Sequence, residues 1–115
     1  MSAIRQGDVY WIDFGPPGGS PAKRHPCVVV QGDVFNRSAI STTVVCLITS
    51  NLRRAMAPGN VVLRKGDANL PKPGVVNVSQ VATVDKVDLA ERIGKLSPAT
   101  VDAIRGGLQL VFDRT

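Results

Sequence analysis

Three runs dominated by residues branched at Cβ, HPCVVVQ (25–31), STTVVCLITS (41–50) and VVNVSQVATV (75–84), constrain the fold of this chain more than any other feature. Such residues lose rotamer freedom in helices and pack well on a pleated surface, so each run reads as a strand. Pro26 stands near the start of the first run, where a missing amide hydrogen is tolerated. GDVYWIDF, residues 7–14, adds a strand with Val9 and Trp11 on one side and Tyr10, Ile12 and Phe14 on the other. Asn60 to Lys65 is a further brief strand. GPPGGSPAKR, residues 15–24, is a long loop, because Pro removes amide donors and Gly multiplies backbone states.

The connections carry their own signals. Asp33 to Ser38 reads as a turn or a single helical turn. Asn51 to Ala57 carries Arg53 and Arg54 in a loop closed by Pro58 and Gly59, and Lys72-Pro73-Gly74 is a turn. Residues 85–93 predict a turn of helix, followed by a short strand over Ile93 to Leu96. The last element has Ser97 as N-cap and Pro98 at the first helical position, with Val101, Ile104, Leu108 and Val111 on one face. Gly106-Gly107 inside that helix costs about 1 kcal/mol per residue relative to Ala, so some backbone approaches closely there, from the chain's own sheet or from a second subunit. Five to seven short strands and one terminal helix predict a single mainly-β domain over residues 1–115, a curved sheet or small barrel with the helix packed on it.

Aromatic residues make up only 4% of the chain, so Val, Ile, Leu and Ala must fill the core. No apolar run approaches the ~20 residues of a membrane span, and the first residues lack the apolar stretch of a secretion signal. A cytoplasmic protein is expected. Cys27 and Cys46 lie in apolar runs, which suits reduced core thiols better than a disulfide. The formal charge of +5 calls for a polyanion or an acidic protein as partner.

Several chemistries are poorly supplied. One His and two Cys without paired spacing do not make a zinc site, and the nine acidic residues are scattered, so no metal is expected. GPPGGS lacks the Gly-Lys-Ser/Thr ending of a phosphate loop. His25 and Cys27 would share a strand face, as a Cys-His hydrolase requires, but Cys27 sits among core residues. What remains is cationic and hydroxylic: Lys23, Arg24 and His25 at the start of one strand, and Thr49, Ser50 and Asn51 at the end of another. RNA brings its own nucleophile, the 2′-hydroxyl, so cleaving it needs a proton acceptor, a proton donor and positive charge or hydrogen bonds at the phosphate. These residue types supply all three. Read blandly, the same residues are a solvated strand start and a strand-ending turn.

GDVYWIDFGPPGGS, KRHPCVVVQGDVFN, VVCLITSN, GNVVL and VVNVSQV stand in an order that resembles the MazF/PemK toxins over nearly the whole chain. The resemblance implies an SH3-like β-barrel of the MazF/CcdB/Kid type with a C-terminal helix, forming a homodimer whose groove receives single-stranded RNA. It further implies the toxin of a type II toxin-antitoxin system, an endoribonuclease that cuts mRNA sequence-selectively without cofactor. The products would carry a 2′,3′-cyclic phosphate and a 5′-hydroxyl. A cognate antitoxin with an acidic, partly disordered tail would silence it.

Thr49 matches the catalytic threonine of that family, and Gly19 and Ser20 match the loop over its site. Gln80 falls where the family has a glutamine near the RNA groove, while Ser79 replaces a common acidic residue. Lys23, Ser50, Asn51, Arg53 and Arg54 are further candidates for RNA contact, with Arg64, Lys65 and Lys72 as outlying ones. Before Pro26, where relatives carry a catalytic arginine, this chain has His25, preceded by Arg24. Neighbouring strand residues face opposite ways, so either His25 points in as the proton-transfer group, or a bulge admits Arg24 as the fixed cation. The need of the phosphate for a fixed charge favours Arg24. Two competing functions remain on such a fold: a CcdB-like toxin that poisons gyrase and cuts nothing, and a non-catalytic RNA-binding barrel.

Overall fold

The computed structural model describes residues 3–13 and 24–114. Within them the Val-rich runs form one antiparallel sheet. Strand β1 is Asp8–Asp13, β2 Arg24–Val29, β3 Thr42–Thr49, β4 Val61–Leu63, β5 Gly74–Asp85 and β6 Glu91–Lys95; helix α1 is Asp33–Asn36 and helix α2 Pro98–Val111. The order across the sheet is β4-β5-β3-β2-β1-β6. Single 3₁₀ turns lie over Leu52–Met56, Asp67–Asn69 and Lys86–Asp88. The expected loop over 51–57 is thus partly helical, and the last strand starts two residues earlier than its sequence pattern suggested.

The middle of the sheet is covered on both faces, which is why β2 and β3 carry continuous apolar runs, whereas the second half of β5 is largely exposed. On one face Val9, Val28, Cys46, Ile48, Val76 and Val78 pack with Leu96 and Ile104 beneath α2. On the other, Tyr10, Ile12, Cys27, Val29 and Val45 cluster with Val84 and Leu89. Cys27 and Cys46 are free and buried. Burial pushes their thiols up, to about 12 and about 11, so they behave as small apolar side chains.

The sheet curls into a half-barrel because the segment leaving β4 at one edge lands on β6 at the other. Asn69 Nδ2 donates to the Ile93 carbonyl at 3.1 Å. At Gly94 a Cβ would stand 2.5 Å from the Ala68 carbonyl oxygen, so only glycine admits that approach. α2 begins as expected, with the Ser97 hydroxyl accepting from the Thr100 N–H at 3.2 Å. Its packed face departs from expectation at the end: Ile104 and Gly107 are buried, but Val111 is 41% exposed because the last turn runs past the sheet.

The connection from β2 to β3 is pinned by buried polar groups. Asn36 donates to the Gln31 carbonyl at 2.8 Å and accepts from the Thr43 hydroxyl at 2.8 Å. Asp33 accepts from the Gln6 N–H at 2.7 Å, and this bond, aided by Asn36, holds its carboxyl below the usual carboxylate range despite partial desolvation. A depressed carboxylate stabilises the fold above its unfolded value and loses that contribution as pH falls through the folded one. Asp33→Asn should therefore lower the urea midpoint at about pH 7, and the gap to wild type should close as pH drops towards about 2.

Candidate active site

At the end of the sheet where β1 and β3 finish and β2 and β5 begin lies an open cleft of about 280 Å³. Arg24, His25 and Pro26 form one wall, and Ile48, Thr49 and Ser50 another. Trp11 closes one side, and the segment Leu70–Gly74, including Lys72, closes the opposite one. The strands bring these walls together by register. β2 and β3 pair through Val29–Val45, Val28–Cys46 and Cys27–Leu47, and the ladder stops at Pro26, which has no amide hydrogen to give. Two residues further along the same register His25 falls opposite Thr49.

That register decides which side chains share a face. Thr49 and His25 lie on the side of Leu47 and Cys27. Arg24 lies on the other side, with Trp11, whose ring centroid is 5.1 Å from the guanidinium carbon. Its Nη2 also donates to Glu91 on β6. The pairing of β1 with β2 runs without a shift from Val9–Val28 to Asp13–Arg24, so the bulge that would have turned Arg24 inward is absent. Trp11, Pro26 and Ile48, which also line the cleft, stand on the face of Arg24, and His25 and Thr49 reach it from the other face at the strand end.

Thr49 is half-buried, and its hydroxyl accepts from the Asn51 N–H at 3.1 Å. That bond uses the oxygen as acceptor and leaves the O–H available to donate to another group. Asn51 in turn caps the following 3₁₀ turn, its Oδ1 accepting from the Arg53 N–H at 3.2 Å. Ser50 lines the cleft; Arg53 and Arg54 are exposed on the turn beyond it. Arg64 and Lys65 are exposed in the turn after β4. Gln80 lies outside the cleft lining, on β5, where its Oε1 accepts from Asn77 Nδ2 at 2.8 Å. Gly19, Ser20 and Lys23 lie outside the described residues.

Sequence reasoning did not foresee Trp11, Glu91 or Leu70 at the site. Trp11 carried a signal, being the one Trp in the chain and standing on a strand of otherwise smaller residues. Glu91 carried none, since its approach depends on β6 pairing with β1 across the chain. Among the described residues no three His, Cys, Asp or Glu side chains cluster as a metal site would require, and no helix is long and apolar enough to cross a membrane.

Known proteins share this architecture. Residues 5–112 match the family model described as PemK-like, MazF-like toxin of type II toxin-antitoxin system. Endoribonuclease MazF2 of Mycobacterium bovis is 41% identical over 111 residues, covering 96% of this chain and 97% of that one. Endoribonuclease MazF6 of Mycobacterium tuberculosis is 41% identical over the same span. Among solved structures, a mycobacterial endoribonuclease in complex with its cognate antitoxin superposes with a TM-score of 0.79 at 25% identity, covering 98% of this chain and all of that one. With that coverage by a family model and two relatives, the chain belongs to the PemK-like, MazF-like toxins of type II toxin-antitoxin systems.

Proposed function

We propose that this protein, acting as one domain over residues 1–115, is the toxin of a type II toxin-antitoxin pair and an endoribonuclease that cuts single-stranded mRNA in the cytoplasm. The observation that carries the reading is the convergence of Thr49, His25 and Arg24 on one cleft. A ribose 2′-hydroxyl attacks the adjacent phosphorus, the bond to the 5′-oxygen breaks, and a 2′,3′-cyclic phosphate and a 5′-hydroxyl remain. His25, on the face of Thr49, exchanges the proton. The Thr49 hydroxyl donates to a phosphate oxygen as charge gathers on it. Arg24, in the cleft wall and engaged by Trp11 and Glu91, supplies positive charge to the phosphate. The chain's own groups supply each role, so the reaction needs no metal or other cofactor.

Ser20, Lys23, Ser50, Asn51, Arg53, Arg54 and Gln80 are the proposed RNA contacts around that centre. The +5 charge attracts both RNA and the acidic tail of a cognate antitoxin. A homodimer would bury apolar surface left open at the end of α2, where Phe112 is 75% exposed and Leu110 54%. Incubated with mixed-sequence single-stranded RNA in EDTA, the purified full chain should yield fragments ending in cyclic phosphate and beginning with 5′-hydroxyl. Intact RNA under those conditions, with or without retention on the protein, defeats the reading.

A further inference from the structure

Asn60, Asn77 and Gln80 form a chain of carboxamides whose polarity the backbone fixes at one end. The Val78 N–H can only donate, and it meets Asn60 at 3.0 Å, so the receiving atom is Oδ1. The other end of that amide is therefore Nδ2. It donates to the Arg54 carbonyl at 2.9 Å and lies 3.5 Å from Asn77 Oδ1. The Ser79 hydroxyl reaches the same Oδ1 at 3.0 Å. Asn77 is left with Nδ2 to offer, and gives it to Gln80 Oε1 at 2.8 Å. Asn77 is only 6% exposed and cannot turn without breaking these bonds. Gln80, exposed, consequently shows solvent its Nε2, which only donates.

This relay stands beside Thr49. Leu47 pairs with Asn77 and Thr49 with Val75, so Asn77 and Thr49 are diagonal neighbours on one sheet face, about 7–8 Å apart in such pairing. Between the pairs Leu47–Asn77 and Cys46–Val81, residues 78–80 of β5 have no partner on β3, and Ser79 and Gln80 in this bulge are exposed. The Arg54 carbonyl ties the same relay to the turn that follows Thr49.

We propose that Asn60 and Asn77 are positioning residues that lock the Gln80 amide with its NH₂ outward, so that Gln80 reads the base beside the scissile linkage. It would favour bases whose exocyclic group at that edge is a keto oxygen, uracil and guanine. Cytosine and adenine present an amino group there, which would face a second donor with no acceptor between them. The inference rests on the ribonuclease reading of the neighbouring cleft and deepens it to a class of substrate sequence.

The test is the end sequence of fragments that the full chain cuts from random single-stranded RNA in EDTA. Wild type should enrich uracil or guanine at one position flanking the cut. In Asn77→Asp the new carboxylate accepts from Asn60 and Ser79 as before but repels Gln80 Oε1, so the Gln80 amide turns over and presents an acceptor. Gln80→Glu, on an exposed residue, presents an acceptor directly while still receiving the Asn77 bond. In both, preference at that one position should move to cytosine or adenine by roughly tenfold. A purely structural role would lower the overall rate and leave the order of bases alone. A base order that survives Gln80→Glu, or a loss of discrimination without exchange, overturns the relay even if Asn77→Asp fails to fold. Absence of any cleavage by wild type defeats the ribonuclease reading itself and this inference with it.

Discussion

Replacing His25 by Ala should lower the cleavage rate roughly 10²- to 10⁴-fold, the range for losing a positioned proton-transfer group. Thr49→Val, which removes the hydroxyl and keeps the shape, should cost roughly 10²- to 10³-fold, as for loss of one donor to a developing oxyanion. Both variants should fold. His25 is exposed, and the Asn51 N–H that loses its acceptor in Thr49→Val belongs to an exposed residue, where water replaces it. If the two side chains serve one transition state, the double variant should be little worse than the weaker single one. Arg24→Ala should cost only about tenfold, because that guanidinium is half exposed and already engaged by Glu91 and Trp11. Single-turnover rates on one defined RNA decide the matter. An inactive Arg24→Ala beside an active His25→Ala would exchange the two roles and place the fixed cation, not the imidazole, at the phosphate.

That ordering differs from the preference drawn from the sequence because the register sets His25, not Arg24, opposite Thr49, and the rates decide between the two. Sequence alone shows that residues 24 and 25 face opposite ways but not which way either faces. Which of them shares the face of Thr49 follows from Cys27 pairing with Leu47, a contact between segments twenty residues apart. Local features were far more legible: the Ser97 cap, the Pro98 start and the five longer strand runs all rest on neighbours in sequence. β5 shows where such reading stops. VVNVSQVATV alternates from Val76 to Ser79 and then breaks at the adjacent polar pair Ser79-Gln80, the one local mark of the bulge at 78–80, but nothing in it marks the burial of Asn77. Asn77 is tolerated inside only because Asn60, Ser79 and Gln80 satisfy its amide, and three of those four residues come together through the bulge itself. The closing of the half-barrel was equally hidden, since the contact of Ala68 with Gly94 depends on the curl of the whole sheet.

The glycine pair in α2 yields a prediction of opposite signs at adjacent positions. From helix propensity alone, Gly106→Ala and Gly107→Ala should each stabilise by about 1 kcal/mol. At Gly106 a Cβ meets nothing within 4 Å, so that gain should appear in full and raise Tm by a few degrees, about 2–6 °C. At Gly107 the Cβ would stand 2.1 Å from the Gly59 carbonyl oxygen and 3.1 Å from a Val78 methyl. Neither the oxygen nor the loop that carries it can yield cheaply. Gly59 holds φ at +76°, and its own Cα faces Gly107 across the same contact, so a Cβ on Gly59 would also lie 2.9 Å from Gly107. The helix would have to lift from β4 and β5, opening the packing around Leu63, Val78 and Ile104. Overpacking of this kind costs about 1–3 kcal/mol or more after relaxation, outweighing the propensity gain. Gly107→Ala should therefore lower Tm by about 5–10 °C while Gly106→Ala raises it. The close approach foreseen from the Gly-Gly pair is met within the chain's own fold, and a Gly107→Ala variant as stable as Gly106→Ala would show that α2 does not sit against Gly59.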